Sequence, residues 1–101
     1  MEKELKKVGG LWEAQQGADD ISGELLEIQE DVGEYHSRVY VLETKDEIRT
    51  VYGSTVLDDK MRFAKVGDFV KIVFLGLKKG EKKDYKNYDV YMARKKQVVT
   101  P

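Results

Sequence analysis

Through most of the chain, apolar residues recur at alternate positions in short runs, the pattern of half-buried strands. "DISGELLEIQE" (20–30) opens the series with apolar positions at Ile21, Leu25, Leu26 and Ile28. The adjacent pair Leu25-Leu26 breaks strict alternation, which predicts a bulge or a sharp bend. Gly23 inside the same run points the same way. "DVGEY" (31–35) is a turn, and "HSRVYVLET" (36–44), rich in β-branched and aromatic residues, is a second strand. "KDE" (45–47) makes a tight connection to a third strand, "IRTVYG" (48–53).

The period then changes. In "STVLDDKMRFAKVGD" (54–68), Leu57, Met61 and Ala64 fall at helical spacing, with Val56 and Phe63 beside them. Ser54 or Thr55 can cap this helix, and Asp58 and Asp59 suit its first turn. "KVGD" turns the chain into a fourth strand, "FVKIVFLGL" (69–77). "KKGEKKDYK" (78–86) is a long hairpin tip, and "NYDVYMAR" (87–94) is a fifth strand.

Three strands, a short helix and two strands make an all-β chain with one helix. Short, bent strands protect their edges by closing into a small barrel. The order predicts a five-stranded OB-fold barrel with the helix plugging one end. An SH3-like barrel rarely places a helix there. The expected organisation is a flexible arm or short helical turn at 1–9, one OB-fold domain at 10–95 and a tail at 96–101.

Composition narrows the function. The chain has 101 residues, no cysteine and one histidine, which excludes disulfides, thiolate metal sites and a cysteine nucleophile. No run resembles a signal peptide or approaches the roughly 20 apolar residues of a membrane span. A cytoplasmic protein is the expectation. The net charge of −1 hides an asymmetry. Residues 13–47 hold eleven acids against two bases, Arg38 and Lys45, whereas residues 48–101 hold thirteen bases against six acids. Local fields rather than the total govern electrostatic binding. Such a charge run also fits a plain solvated surface.

"SGELLEIQED", "RTVYGSTVLDD" and "VGDFVKIVFLGLKKGEKKDYKNYDVYM" resemble small single-domain OB-fold proteins that bind single-stranded DNA, of the kind found in phages and archaea. The resemblance covers residues 8–94 and is most specific in the last segment. The chain lacks the long Gly/Gln-rich tail with an acidic, phenylalanine-bearing tip of the bacterial housekeeping proteins. The resemblance implies sequence-tolerant binding of single-stranded DNA in replication, recombination or repair. RNA is a second ligand class, and a protein-interaction or assembly module is the other reading. A homo-oligomer or a cooperative array on DNA is a further expectation.

Oligonucleotide-binding barrels of this type use the face of the second and third strands and the loops joining strands one to two and four to five. Those elements carry Tyr35, His36, Arg38, Tyr40, Arg49, Tyr52, Lys78, Lys79, Lys82, Lys83, Tyr85 and Lys86. Cations gather phosphates and flat rings stack on bases. With Val39 and Val41 as core, Arg38 and Tyr40 point to the ligand. Tyr52 shares a face with Ile48 and Thr50, and packing or stacking suits it equally. In the fourth strand Val70, Ile72 and Phe74 are core. In the fifth, Tyr88 is core. Trp12, the lone tryptophan, lies in "GGLWEAQQG" and suits either a half-buried core position or stacking. His36 has no second ligand at metal spacing. No phosphate loop or nucleophile–histidine–acid arrangement stands out, and the adjacent carboxylates Asp58-Asp59 and Glu30-Asp31 suit caps and turns rather than an acid–base couple, so neither catalytic residues nor a cofactor are expected.

Overall fold

The computed structural model describes residues 7–13 and 19–93. Most of the predicted arm (1–6), the segment 14–18 and the end of the chain from 94, including the predicted tail, lie outside the described residues. The elements run β1 (Lys7–Leu11), β2 (Asp19–Val32), β3 (Ser37–Glu43), β4 (Glu47–Tyr52), α1 (Thr55–Met61), β5 (Phe69–Lys78) and β6 (Tyr85–Ala93). They form one six-stranded sheet in the order β1-β4-β3-β2-β5-β6. β1 pairs with β4 in parallel, and every other pairing is antiparallel.

The fold is mostly β with one short helix, as the pattern predicts, but two expectations are corrected. Among the described residues there are six strands rather than five, and their hydrogen bonds do not close the sheet into a barrel. The extra strand, β1, begins inside the predicted flexible arm. Its sequence, KVGGL, has two glycines and no alternation to announce it. Tertiary contacts, described below, hold it on β4.

β2 organises the sheet. Its first half pairs with β5, from Asp19 opposite Phe74 to Glu24 opposite Phe69. Its second half pairs with β3, from Glu24 opposite Glu43 to Val32 opposite Ser37. The strand must bend where it changes partner, and Gly23 stands there. A Cβ at Gly23 would run into the backbone carbonyl of Glu43, so only glycine lets the strands cross this closely. The register shift predicted from Leu25-Leu26 falls between Leu25 and Glu27.

The core is drawn from every element after β1. Ile21, Leu25, Leu42, Val51, Val70, Ile72 and Phe74 line the sheet's inner face, and Leu57 and Met61 enter from α1. Burying side chains of this size stabilises by about 1.5–3 kcal/mol each. Ser54 caps α1, its Oγ accepting from the Leu57 amide at 3.3 Å. The helix stops at Met61, within the segment 54–68 where a short helix followed by a turn is expected. There the Ala64 amide turns back to the Met61 carbonyl at 2.9 Å. Gly67 then takes φ +101°, and the buried Asp68 carboxylate accepts from the Lys65 amide at 2.9 Å. α1 packs against β6. Both strands of the last hairpin run further than predicted, pairing Lys78 with Tyr85 beyond a bulge at Gly76, where φ is +104°.

β3 faces the opposite way from the expectation. Tyr40 and Leu42 are core residues, 1% and 0% exposed. Val41 is half-buried on the other face, in register with Thr50, and Val39 beside it is buried as expected, 2% exposed opposite Tyr52, but stands outside the main core cluster. The large ring of Tyr40 fills more core volume than a valine, and its hydroxyl finds a partner there, donating to Asp58 Oδ1 on α1 at 2.7 Å. Alternation alone could not register that partner.

Candidate nucleic-acid interface

The packing of α1 on β6 creates a groove beside the β5–β6 loop. The start of α1, Ser54 to Val56, faces the β5–β6 loop and Tyr88 across a space of about 840 Å³. Val56 is half-buried and Tyr88 is buried, so the floor is apolar. Tyr85 forms part of the wall with its ring partly accessible. Lys82, Lys83 and Lys86 line the loop side, with Glu81 and Asp84 among them. The three ammonium groups exceed the two carboxylates, so the rim is net cationic. Lys78 and Lys79 are exposed at the base of the loop. At Gly80 a Cβ would strike the carbonyl of Lys83, so glycine permits this tight loop.

Aromatic contacts fix the floor. The Tyr88 ring lies 5.7 Å from Phe74 and 6.4 Å from Trp12, tilted 52° to each. Lys86 Nζ sits 6.0 Å from the Phe74 ring centroid, at the outer limit of a cation–π contact. Burial raises the Tyr88 phenol above the ordinary tyrosine range. Trp12 is half-buried and packs against the core, and its amide donates to the Thr50 carbonyl at 2.8 Å. Its indole therefore joins β1 to β6.

The expected face of β3 and β4 is a different surface. Tyr40 is removed from it, as described. Its phenol is raised in pKa first by burial and then by the hydrogen bond to Asp58, so it stays neutral. The two arginines are engaged within the chain. Arg38 Nη2 donates to Glu30 Oε1 at 2.7 Å. Arg49 donates to Glu47 Oε1 at 2.8 Å, to the Gly10 carbonyl at 2.9 Å and to the Leu11 carbonyl at 3.0 Å. Tyr52 remains on the outer face, 48% exposed beside Val39. Carboxylates share that face, with Glu24 directly opposite Glu43 and Glu27 opposite Val41.

The β2–β3 turn presents Tyr35 at 86% exposure. His36 and Asp31 both take left-handed backbone conformations, φ 53° and 59°. His36 Nδ1 hydrogen-bonds the Asp31 carboxylate, which ties the two ends of the turn. The structure thus joins the predicted loop residues Lys82, Lys83, Tyr85 and Lys86 in one groove, while Arg38, Tyr40 and Arg49 are committed elsewhere. Ser54, Thr55 and Val56 were not foreseen as lining residues. They reach the groove only because α1 docks on β6, and no local motif announces that.

Among the described residues, no group of three or more His, Cys, Asp or Glu side chains could hold a metal ion. No helix among them is long and apolar enough to cross a membrane. No family model, curated protein or solved structure matches this chain.

Proposed function

We propose that this chain binds single-stranded DNA, with little regard to base sequence, in the groove between the β5–β6 loop and the start of α1. The observation that carries the reading is the groove itself: an apolar floor, an accessible tyrosine and a cationic rim around about 840 Å³. Apolar and aromatic surface favours unpaired bases, and lysines neutralise phosphates. Tyr85 is the stacking ring. Lys78, Lys79, Lys82, Lys83 and Lys86 supply the phosphate contacts. Tyr35 and Tyr52 are accessible rings that lie outside this groove.

The proposed architecture is a partly open OB-fold barrel. Its support is the order β2-β3-β4-α1-β5-β6, with β2 bent and shared between two partners. β1 and Trp12 cover the seam between β4 and β6. The proposed role is in replication, recombination or repair, as a binding protein rather than an enzyme. RNA of equal length is the competing ligand, since stacking is indifferent to the sugar. An interaction module is favoured by one observation: Phe69, Leu75 and Tyr91 are each more than half exposed on β5 and β6.

Titration of labelled single-stranded, duplex and hairpin oligonucleotides at one fixed salt concentration tests the proposal, with RNA as competitor. Tight binding of the single strand alone is expected, because pairing hides the base faces. Equal affinity for duplex removes the stacking half of the mechanism. No affinity for any nucleic acid transfers the groove to the interaction-module reading.

A further inference from the structure

We infer that the edge of β4 covered by β1 is an acceptor for the β1 segment of a second copy of this chain, so that two copies pair by exchanging β1. The contacts that fix β1 all reach across to the body of the molecule. Arg49 holds the carbonyls of Gly10 and Leu11 at 2.9 and 3.0 Å. The Trp12 amide donates to the Thr50 carbonyl at 2.8 Å, and its indole lies 6.4 Å from Tyr88. Lys7 stands in register with Glu47, a charge of opposite sign. None of these contacts depends on which copy supplies the segment. Exchange therefore keeps each of these contacts, and reciprocal exchange of an identical element is a low-cost route to a dimer.

The intramolecular form is weakly held. β1 has five residues, of which only Gly9 is even half-buried, and Val8 is 76% exposed. Its pairing is parallel and loses register between Val8 and Leu11, and parallel pairing is the less stable kind. Gly9 and Gly10 lose more backbone freedom on docking than any other residues would. Local openings of such segments have low free energy, and each opening bares the edge of β4 as a template for another strand.

The acceptor also selects its occupant. A Cβ at Gly9 would lie 2.5 Å from Arg49 Cδ and 2.6 Å from Glu47 Cδ. Both side chains are fixed by their mutual ion pair and by the carbonyls that Arg49 holds. A strand with a side chain at this position breaks that clasp. A strand with glycine there, two consecutive carbonyls for the guanidinium and an indole for the seam fits it. The chain's own sequence supplies such a segment, so the partner is a second copy.

The absence of cysteine makes a clean test. Val8 and Ile48 are register partners. Paired strands lie about 4.8 Å apart, within the roughly 4.4–6.8 Å between Cα atoms that a disulfide spans. The single variants V8C and I48C are mixed in the native state over a wide concentration range. They are then oxidised with oxidised glutathione and mapped by peptide mass spectrometry. The expected result is a covalent one-to-one pair linked between positions 8 and 48. Its yield should rise with concentration and vanish when the V8C chain also carries Gly9→Val. Linkage that forms only inside a chain carrying both substitutions, with the mixed single variants unlinked at every concentration, overturns the inference. If either variant loses the circular dichroism of the parent, Leu11 and Thr50 are also in register and serve with the same two outcomes. The readout does not involve nucleic acid, so it stands or falls apart from the proposed function.

Discussion

Replacing Tyr40 with phenylalanine separates the two orientations of β3. The ring stays in the core and only the hydroxyl that donates to Asp58 at 2.7 Å is lost. A hydrogen bond to a charged group contributes about 1.5–3 kcal/mol. Asp58 is half-buried, so water partly replaces the missing donor and the net cost is about 1–1.5 kcal/mol. In a chain of this size each kcal/mol moves the melting midpoint by about 4–8 °C. Y40F should therefore melt roughly 4–12 °C below the parent at neutral pH. The pH dependence adds a second signature. Burial, then the Asp58 bond, raises the phenol above its ordinary value of 10.0. The folded chain keeps the proton where the unfolded chain has released it. This contribution is fully present below pH 10 and is lost as pH rises toward the folded-state value. Above pH 10 it should lower parent stability by up to about 1.4 kcal/mol per pH unit, and Tyr88, raised by burial, acts with the same sign. Urea unfolding of parent and Y40F at neutral pH and above pH 10 measures both effects, and the variant should show the flatter alkaline limb. An unchanged midpoint with weakened binding of single-stranded DNA would place the ring on the outer face and refute the reasoning.

Replacing Lys82, Lys83 and Lys86 with glutamine should lower the magnitude of the salt slope of log affinity by about 2, at roughly 0.7 per phosphate on single strands. Fluorescence anisotropy across a salt series reads it, and an unchanged slope removes these lysines from the phosphate path. Tyr85→Leu should cost about 1–3 kcal/mol in binding while barely moving the melting midpoint, since the ring is 36% exposed. A wild-type Kd would remove it as the stacking ring. Arg49→Gln should release β1, shift Trp12 emission to the red and abolish amide protection in Lys7–Leu11 with β2 unaffected. Retained protection would show that the clasp is not what holds the strand. Gly23→Ala should destabilise by about 1–3 kcal/mol through overpacking against the Glu43 carbonyl, read by urea midpoint, and a neutral effect would mean that β2 relieves the contact by shifting.

The elements whose order comes from local pattern were legible in the sequence. The bend at Gly23, the bulge after Leu25, the Ser54 cap and the turn at Gly67-Asp68 each depend on residues within a few positions of one another. Three features depend on distant partners and were not legible. β1 is fixed by Arg49, far along the chain, and its own glycines argue against a strand. The orientation of β3 turned on whether Tyr40 or its valine neighbours faced inward, and Asp58 of α1 decided it. The lysine-rich loop was visible as a cluster of charge, but the opposite wall of its groove was not. Val56 reads as one more apolar residue of a helix until α1 is seen against β6.

The division of β2 between two partners also orders events during synthesis. Its second half meets β3 across a short turn, and β4 follows directly, so this meander forms early from local contacts. The first half, Asp19 to Glu24, has its partner in Phe69–Phe74, which leaves the ribosome only after the whole of α1. Until then Ile21 and the edge beside it stay unpaired on a nascent chain. Such an interval is when an open strand is most exposed to aggregation. The carboxylates of Asp19, Asp20 and Glu24 flank it, and their mutual repulsion between neighbouring chains guards the edge until β5 arrives.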